Sequence, residues 1–310
     1  MGCEKTPRKV FFFIAAVSFP IMLVDVLSFG EADRVYVGSD ACKECHEEHA
    51  STFAKSVHYT AWLDKGGQHG CETCHGPGSE HISNPSPETI ITFDRKSRQS
   101  IEARNRQCLD CHQATTNVVN WDSGVHKRND ITCSSCHSIH KGKSPIARQP
   151  DICFTCHTDI RSDIRKRSHH PIIEGKVRCT NCHNTHGTLS RRMIQADTAN
   201  LLCYQCHAEK RGPFMWEHPP VAENCLKCHD PHGAKAVKLL KEKVPNLCQD
   251  CHDEQRHPGT PYYSNNKFTG TAPVNKLYGR ACLNCHSVIH GSYAPEDPGN
   301  TFNSGRFFLR

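Results

Sequence analysis

One short pattern recurs ten times in this chain: two cysteines separated by two residues, with a histidine directly after the second. The cysteine pairs are Cys42/Cys45, Cys71/Cys74, Cys108/Cys111, Cys133/Cys136, Cys153/Cys156, Cys179/Cys182, Cys203/Cys206, Cys225/Cys228, Cys248/Cys251 and Cys282/Cys285. The histidines that follow them are His46, His75, His112, His137, His157, His183, His207, His229, His252 and His286. These motifs use 20 of the 21 cysteines and leave only Cys3. C-x-x-C-H is the attachment signature of haem c: the thiols add to the two vinyl groups, and the histidine is placed under the iron as its proximal ligand. A zinc site needs two C-x-x-C pairs per metal and no histidine directly after each. Disulfides would not keep the two-residue spacing ten times over. Ten covalently attached haems c are therefore expected.

Thirteen histidines lie outside the motifs. Ten of them fall one after each motif: His58, His81, His126, His140, His170, His186, His218, His232, His257 and His290. Ten irons need ten sixth ligands, so the count points to bis-histidine coordination throughout. The spacing alternates. His140, His186 and His232 come three residues after the histidine of an even-numbered motif, whereas those after odd-numbered motifs are mostly farther away. A close histidine cannot stand opposite its own motif histidine. Ligands on the two faces of one iron have Cα atoms roughly 13 Å apart, given metal–nitrogen bonds of about 2 Å. Three extended residues span at most about 10.8 Å. Each close histidine must serve another haem, and an exchange inside each two-haem unit is the expectation: His232 to the haem of His207, His218 to that of His229. His49, His69 and His169 are surplus, with surface or supporting roles; His49 or His69 in place of His58 is the alternative for the first distal ligand.

The elements that must position these residues are sparse. Hydrophobic residues make up 36% of the chain, Gly and Pro number 20 and 18, and the mean hydropathy is −0.61. A polypeptide this polar buries too little apolar surface to offset its chain entropy unless the porphyrins act as its core. Mostly coil with short α-helices, and little or no β-sheet, is expected, with helices in stretches such as 44–64 and 198–209. The formal charge of +6 balances haem propionates, since a ferric bis-histidine haem carries about −1; nucleic acid is not the implied partner. Residues 1–30 read as an export signal: Lys5, Arg8 and Lys9 precede an apolar run from Val10 to Val24, and Ser28-Phe29-Gly30 suits a cleavage site. An uncleaved anchor is the alternative. Residues 31–310 form the haem-bearing domain. From Ser292 to Arg310 there is no haem ligand, and this tail reads as a frayed end or, through Phe307, Phe308 and Leu309, a docking segment.

An internal repeat orders the motifs into five two-haem units. Residues 153–187 and 203–233 match best, with CFTCH against CYQCH, His170-Pro171 against His218-Pro219, and CTNCHNTHG against CLKCHDPHG; 108–142 follows the same plan. The terminal units carry longer insertions, as the ends of repeat arrays often do.

With these motifs and ten histidines in this order, the chain resembles the MtrA/DmsE-type decahaem c cytochromes, with MtoA- and PioA-like relatives. The likeness covers the mature chain and is densest in CYQCHAEKRGPFMWEHPPVAENCLKCHDPHG and CLNCHSVIHG. It implies an elongated haem wire in the periplasm, associated with the outer membrane through a β-barrel porin partner. Such a wire relays electrons between periplasmic and extracellular cytochromes, in metal reduction or Fe(II) oxidation. A polar surface suits the interior of a large barrel. A periplasmic electron shuttle to a terminal reductase is the alternative within the family. A multihaem reductase needs an open iron, against which ten regular motifs and sufficient histidines argue. No catalytic residue is expected.

Overall fold

A computed structural model describes residues 34–64, 69–94, 97–140, 149–252, 281–296 and 305–308. The expected signal, Cys3 and His257 lie outside them. Contacts divide the chain into Met1–Arg34 and Val35–Arg310, and all the described residues except Arg34 belong to the second.

Each motif is one helical turn. In nine of them the N–H of the motif histidine donates to the carbonyl of the first cysteine at 2.9–3.1 Å, and the tenth ends the helix Ile101–His112. One turn brings positions i, i+3 and i+4 to a single face, so both thiols and the imidazole are presented together. Odd-numbered motifs hang on short helices: Ser39–Lys43, Ile101–His112, Asp151–Phe154, Ala199–Tyr204 and Asn246–Gln249. Ser100 and Thr198 start two of these, their hydroxyls accepting from the N–H of Ala103 and Leu201. Even-numbered motifs are isolated turns, four of them entered from extended backbone at Thr132, Arg178, Asn224 and Ala281.

The first N–H groups of an isolated turn have no partner within it, and the unit's own odd segment supplies one. Ser39 Oγ accepts from Cys71 N–H at 3.0 Å, Asn105 Oδ1 from Cys133 N–H at 2.9 Å, and Asn200 Oδ1 from Cys225 N–H at 2.7 Å. Gln149 Oε1 does the same for Thr180 N–H at 3.2 Å. Asn105 and Asn200 are buried. In the first unit the buried carboxylate of Glu72 also accepts from the N–H groups of Val37, Gly38 and Gly78, which fastens the entering chain to the second motif.

Units join through short antiparallel bridges. Ser168 pairs with Ala234, and Trp216 pairs with Ser292. Each bridge lies two residues from a histidine on either side, His170 and His232 in the first, His218 and His290 in the second. The glycines after His186 and His232 let the units touch: a Cβ on Gly187 would strike the Asn120 carbonyl, and one on Gly233 the Asp163 carbonyl.

Among the described residues there is no strand, and the longest helix has 12 residues, as the composition leads one to expect. The helical stretch 44–64 is two helices, Glu47–Phe53 and Val57–Asp64; that at 198–209 is Ala199–Tyr204 followed by the 3-10 turn Ala208–Lys210. The buried hydrophobic residues are Trp121, Ile164, Ile172, Ala234 and Ala236. Ordering a backbone costs about 1–2 kcal/mol per residue, which so small a set cannot offset.

The tail departs from the frayed end expected of it. Ser292 is buried, Trp216 Nε1 donates to the Ala294 carbonyl at 3.0 Å, and Gly305 and Val288 N–H donate to the carbonyls of Pro295 and Phe308. The Phe308 ring lies 5.3 Å from that of His218.

Asn200→Ala leaves the Cys225 N–H without its acceptor and should lower stability by about 1–3 kcal/mol, read as a lower denaturant midpoint of the holoprotein. Chain produced without haem attachment should show coil-like circular dichroism and no cooperative melt.

Candidate haem-binding sites

All twenty motif cysteines are free thiols. Within each unit the first cysteines of the two motifs contact one another: Cys42 and Cys71, Cys108 and Cys133, Cys153 and Cys179, Cys203 and Cys225, Cys248 and Cys282. Between units the second cysteine of an even motif lies within electrostatic range of the next motif: Cys74 of Cys108 and Cys111, Cys136 of Cys153, Cys182 of Cys206, Cys228 of Cys251. The attachment points therefore follow one another in space in the order of the sequence.

The two cysteines of a motif do not sit at equal depth. Every first cysteine is half-buried, as are Cys74, Cys182 and Cys228. Cys45, Cys111, Cys136, Cys156, Cys206, Cys251 and Cys285 are exposed. The first cysteine packs against its counterpart in the same unit.

The histidines form pairs. Two imidazoles on opposite sides of one iron, with metal–nitrogen bonds of about 2 Å, have ring centroids about 6.3 Å apart. His58–His112, His75–His140, His126–His157, His137–His186, His170–His207, His183–His232, His218–His252 and His229–His290 have centroids 5.9–6.3 Å apart. His46 and His81 are at 6.4 Å. Nine motif histidines thus face a non-motif histidine at a spacing that admits an iron between them, and the thiols beside each motif histidine are free to hold the macrocycle. The residues fit haem c.

The pairing corrects the exchange expected within units. His232 faces His183 of the preceding unit, not His207, and His218 faces His252 of the following unit, not His229. The exchange is reciprocal and lies at the joints. At each joint the distant histidine of one unit faces the odd motif of the next, and the close histidine of that next unit faces the even motif of the first. The bridges Ser168–Ala234 and Trp216–Ser292 hold the two exchanged segments side by side. Chain reach excluded a close histidine's own haem and could not choose among the others. Among the described pairs, only the first, His46 with His81, stays within its unit.

Backbone carbonyls orient many of the rings. His75, His183, His229 and His286, all in even motifs, have Nδ1 2.6–2.9 Å from the carbonyls of Ile91, Arg192, Lys238 and Phe307. A carbonyl only accepts, so Nδ1 carries the hydrogen and Nε2 is left for a metal. Two of the carbonyls are set by turns of consecutive left-handed residues, Arg192-Met193 and Lys238-Leu239, with φ of 55–60°. Asn184 and Asp230 N–H close these turns on the Met193 and Leu239 carbonyls. Neither turn contains glycine, so nothing in the residue types announced it; the equal nine-residue spacing from His183 and His229 was the available sign. Among the non-motif histidines, His126 and His170 donate from Nδ1 to the carbonyls of Thr185 and Pro231. These are the residues just before His186 and His232, which ties the exchanged ligands together.

Odd-motif histidines His46, His112, His157, His207 and His252 are exposed. Burial pushes His58, His75, His137, His186, His218, His229, His232 and His290 below the ordinary histidine range. They stay neutral to lower pH, and neutral imidazole is the form that binds iron.

The surplus histidines have other company. His69 stacks on Tyr36 at 3.9 Å, and His169 Nε2 lies 3.2 Å from Glu174 Oε1. His49 lies 6.0 Å from His46 and 5.0 Å from His140. Three residues from His46, it is too close along the chain to stand opposite it, and its carbonyl takes the His140 Nδ1 at 3.3 Å.

Known proteins share this arrangement. Residues 169–212 and 218–257 match the doubled CXXCH motif family, and 71–149 match the NrfB-like c-type cytochrome family. The chain is 39% identical over 275 residues to the multiheme cytochrome MtrA of Shewanella baltica (strain OS185), covering 86% of this chain and 82% of that one. It is also 29% identical over 118 residues to the cytochrome c-type protein NrfB of Haemophilus influenzae, covering 34% and 50%. With its thiols and imidazoles set out for covalently bound haem c, the chain belongs to the MtrA family of multihaem cytochromes, which are electron-transfer proteins and not enzymes.

Proposed function

We propose that the chain carries ten haems c, each closed by two histidines, and passes electrons between periplasm and cell exterior through an outer-membrane β-barrel. The observation that carries this reading is the set of facing imidazoles at iron-spanning distance, linked across the joints. Nine motif histidines have partners among the described residues; His257, the remaining non-motif histidine of the ten, is left for His286. An iron held on both faces by imidazole has no position for substrate, so bound haem supplies only an iron(III)/iron(II) couple here.

The chain's own part is to fix the couples in a row. Attachment points ordered along the sequence make each redox site the neighbour of the next. Exchange of ligands at the joints makes the spacing between units as rigid as coordination itself. Export through the signal at 1–30 places residues 31–310 in the periplasm, on the side of the membrane where haem is attached. No helix among the described residues is long and apolar enough to cross a membrane, and a polar wire suits the polar lumen of a large barrel. Periplasmic and extracellular cytochromes are the redox partners at its two ends, in extracellular metal reduction or Fe(II) oxidation.

Two measurements test the reading. The ferric protein should be wholly low-spin, and His232→Ala should add a high-spin signal of about one haem. In a background where Cys179 and Cys182 are serine, His232→Ala should add none, whereas in a Cys203/Cys206 double-serine background it should still do so; the reverse pattern would restore exchange within units. Affinity purification from detergent-solubilised outer membranes should recover a β-barrel protein in stoichiometric amount. Recovery of the cytochrome alone, from the periplasmic fraction, would favour a shuttle to a terminal reductase.

A further inference from the structure

The C-terminal tail touches the last two motifs in opposite ways. The Phe307 carbonyl lies 2.6 Å from Nδ1 of His286, the shortest contact of this kind among the even motifs. Phe308, in the left-handed region at φ 56°, puts its ring 5.3 Å from that of His218. His218 is the partner of His252, in the motif before. Its Nδ1 is buried with no hydrogen-bond partner.

The repeat shows what is missing at His218. His126 and His170 occupy the same place in their units, and each donates Nδ1–H to the carbonyl just before the close histidine of the next unit. His218 has the same flanking bridge, Trp216 with Ser292, yet makes no such bond. A histidine whose Nδ1–H is given to a carbonyl has imidazolate character and is a stronger donor to its metal; one with a bare Nδ1–H is weaker. Stronger axial donation favours the ferric state and lowers the potential.

We infer that the tail is a positioning segment that splits the potentials of the last two haems, lowering that of the Cys282–His286 motif and leaving that of the Cys248–His252 motif raised. An electron arriving at this end then rests on the penultimate site. This inference rests on the bis-histidine reading above.

Gly305 offers a way to lift the tail without touching a ligand, because any Cβ there collides with the Ala294 carbonyl. In Gly305→Val holoprotein, His286 loses its carbonyl and the Nδ1 of His218 gains water. A redox titration at the haem α-band, variant minus parent, should show two lobes of opposite sign: gained reduction on the low-potential side and lost reduction on the high-potential side, each of about one haem. Phe308→Leu keeps the Phe307 carbonyl and should leave the low-potential lobe absent. The inference is overturned if Gly305→Val leaves the curve unchanged, moves both sites the same way, or produces a high-spin signal, since the last would make the tail a support for coordination only. If the parent ferric protein is itself partly high-spin, it is the bis-histidine reading that fails.

Discussion

Two imidazoles on opposite faces of one iron must leave the backbone from points roughly 13 Å apart, given metal–nitrogen bonds of about 2 Å. No short segment can span that distance and also present two thiols to the macrocycle. Every motif must therefore find its second histidine in another segment, and the architecture follows from where that segment comes. In this chain, the first pair apart, it comes from a neighbouring unit. The distant histidine reaches forward and the close one reaches back; two joints carry a two-residue bridge, and at two a glycine admits a neighbouring carbonyl. Metal coordination by these pairs would do at each joint what a hydrophobic interface does in an ordinary repeat protein.

This explains how a chain with so few buried apolar side chains keeps one connected arrangement. The apolar mass lies in the cofactors, and the polypeptide supplies directional groups around them. A buried amide from the odd segment caps the even turn in two units, and a serine or glutamine side chain does so in two others. Backbone carbonyls fix the ring tautomers. Hydrogen bonds of this kind are worth little individually in net terms, but each fixes a side chain that a metal would then hold far more strongly.

The ten motifs, the five-unit repeat and the nine non-motif histidines that face a motif histidine among the described residues were legible in the sequence because each depends on residue type at fixed spacing. His170 was preferred to His169 by the shared His-Pro, and the structure puts His170 opposite His207 while His169 turns to Glu174. Which iron a histidine faces was not legible. Reach along the chain excludes the nearest haem only, and the destination is decided by bridges between residues 66 and 76 positions apart, such as Ser168 with Ala234 and Trp216 with Ser292. The carbonyl acceptors were equally hidden, because any residue carries a carbonyl and the left-handed turns that aim two of them contain no glycine. The anchoring of residues 292–296 and 305–308 was hidden for a related reason: it runs largely through main-chain groups, to which composition is blind.

Reciprocal exchange has a further consequence at the ends of the array. An internal unit gives one histidine forward and one back and receives the same, so its coordination is complete only with neighbours on both sides. The first unit has no predecessor, and its odd motif is closed from within by His81, whose Nδ1 is held by the Ser86 carbonyl and the Thr89 hydroxyl instead of by another unit. In the last unit the tail brings the Phe307 carbonyl to Nδ1 of His286, the part that Ile91, Arg192 and Lys238 play for the other even motifs.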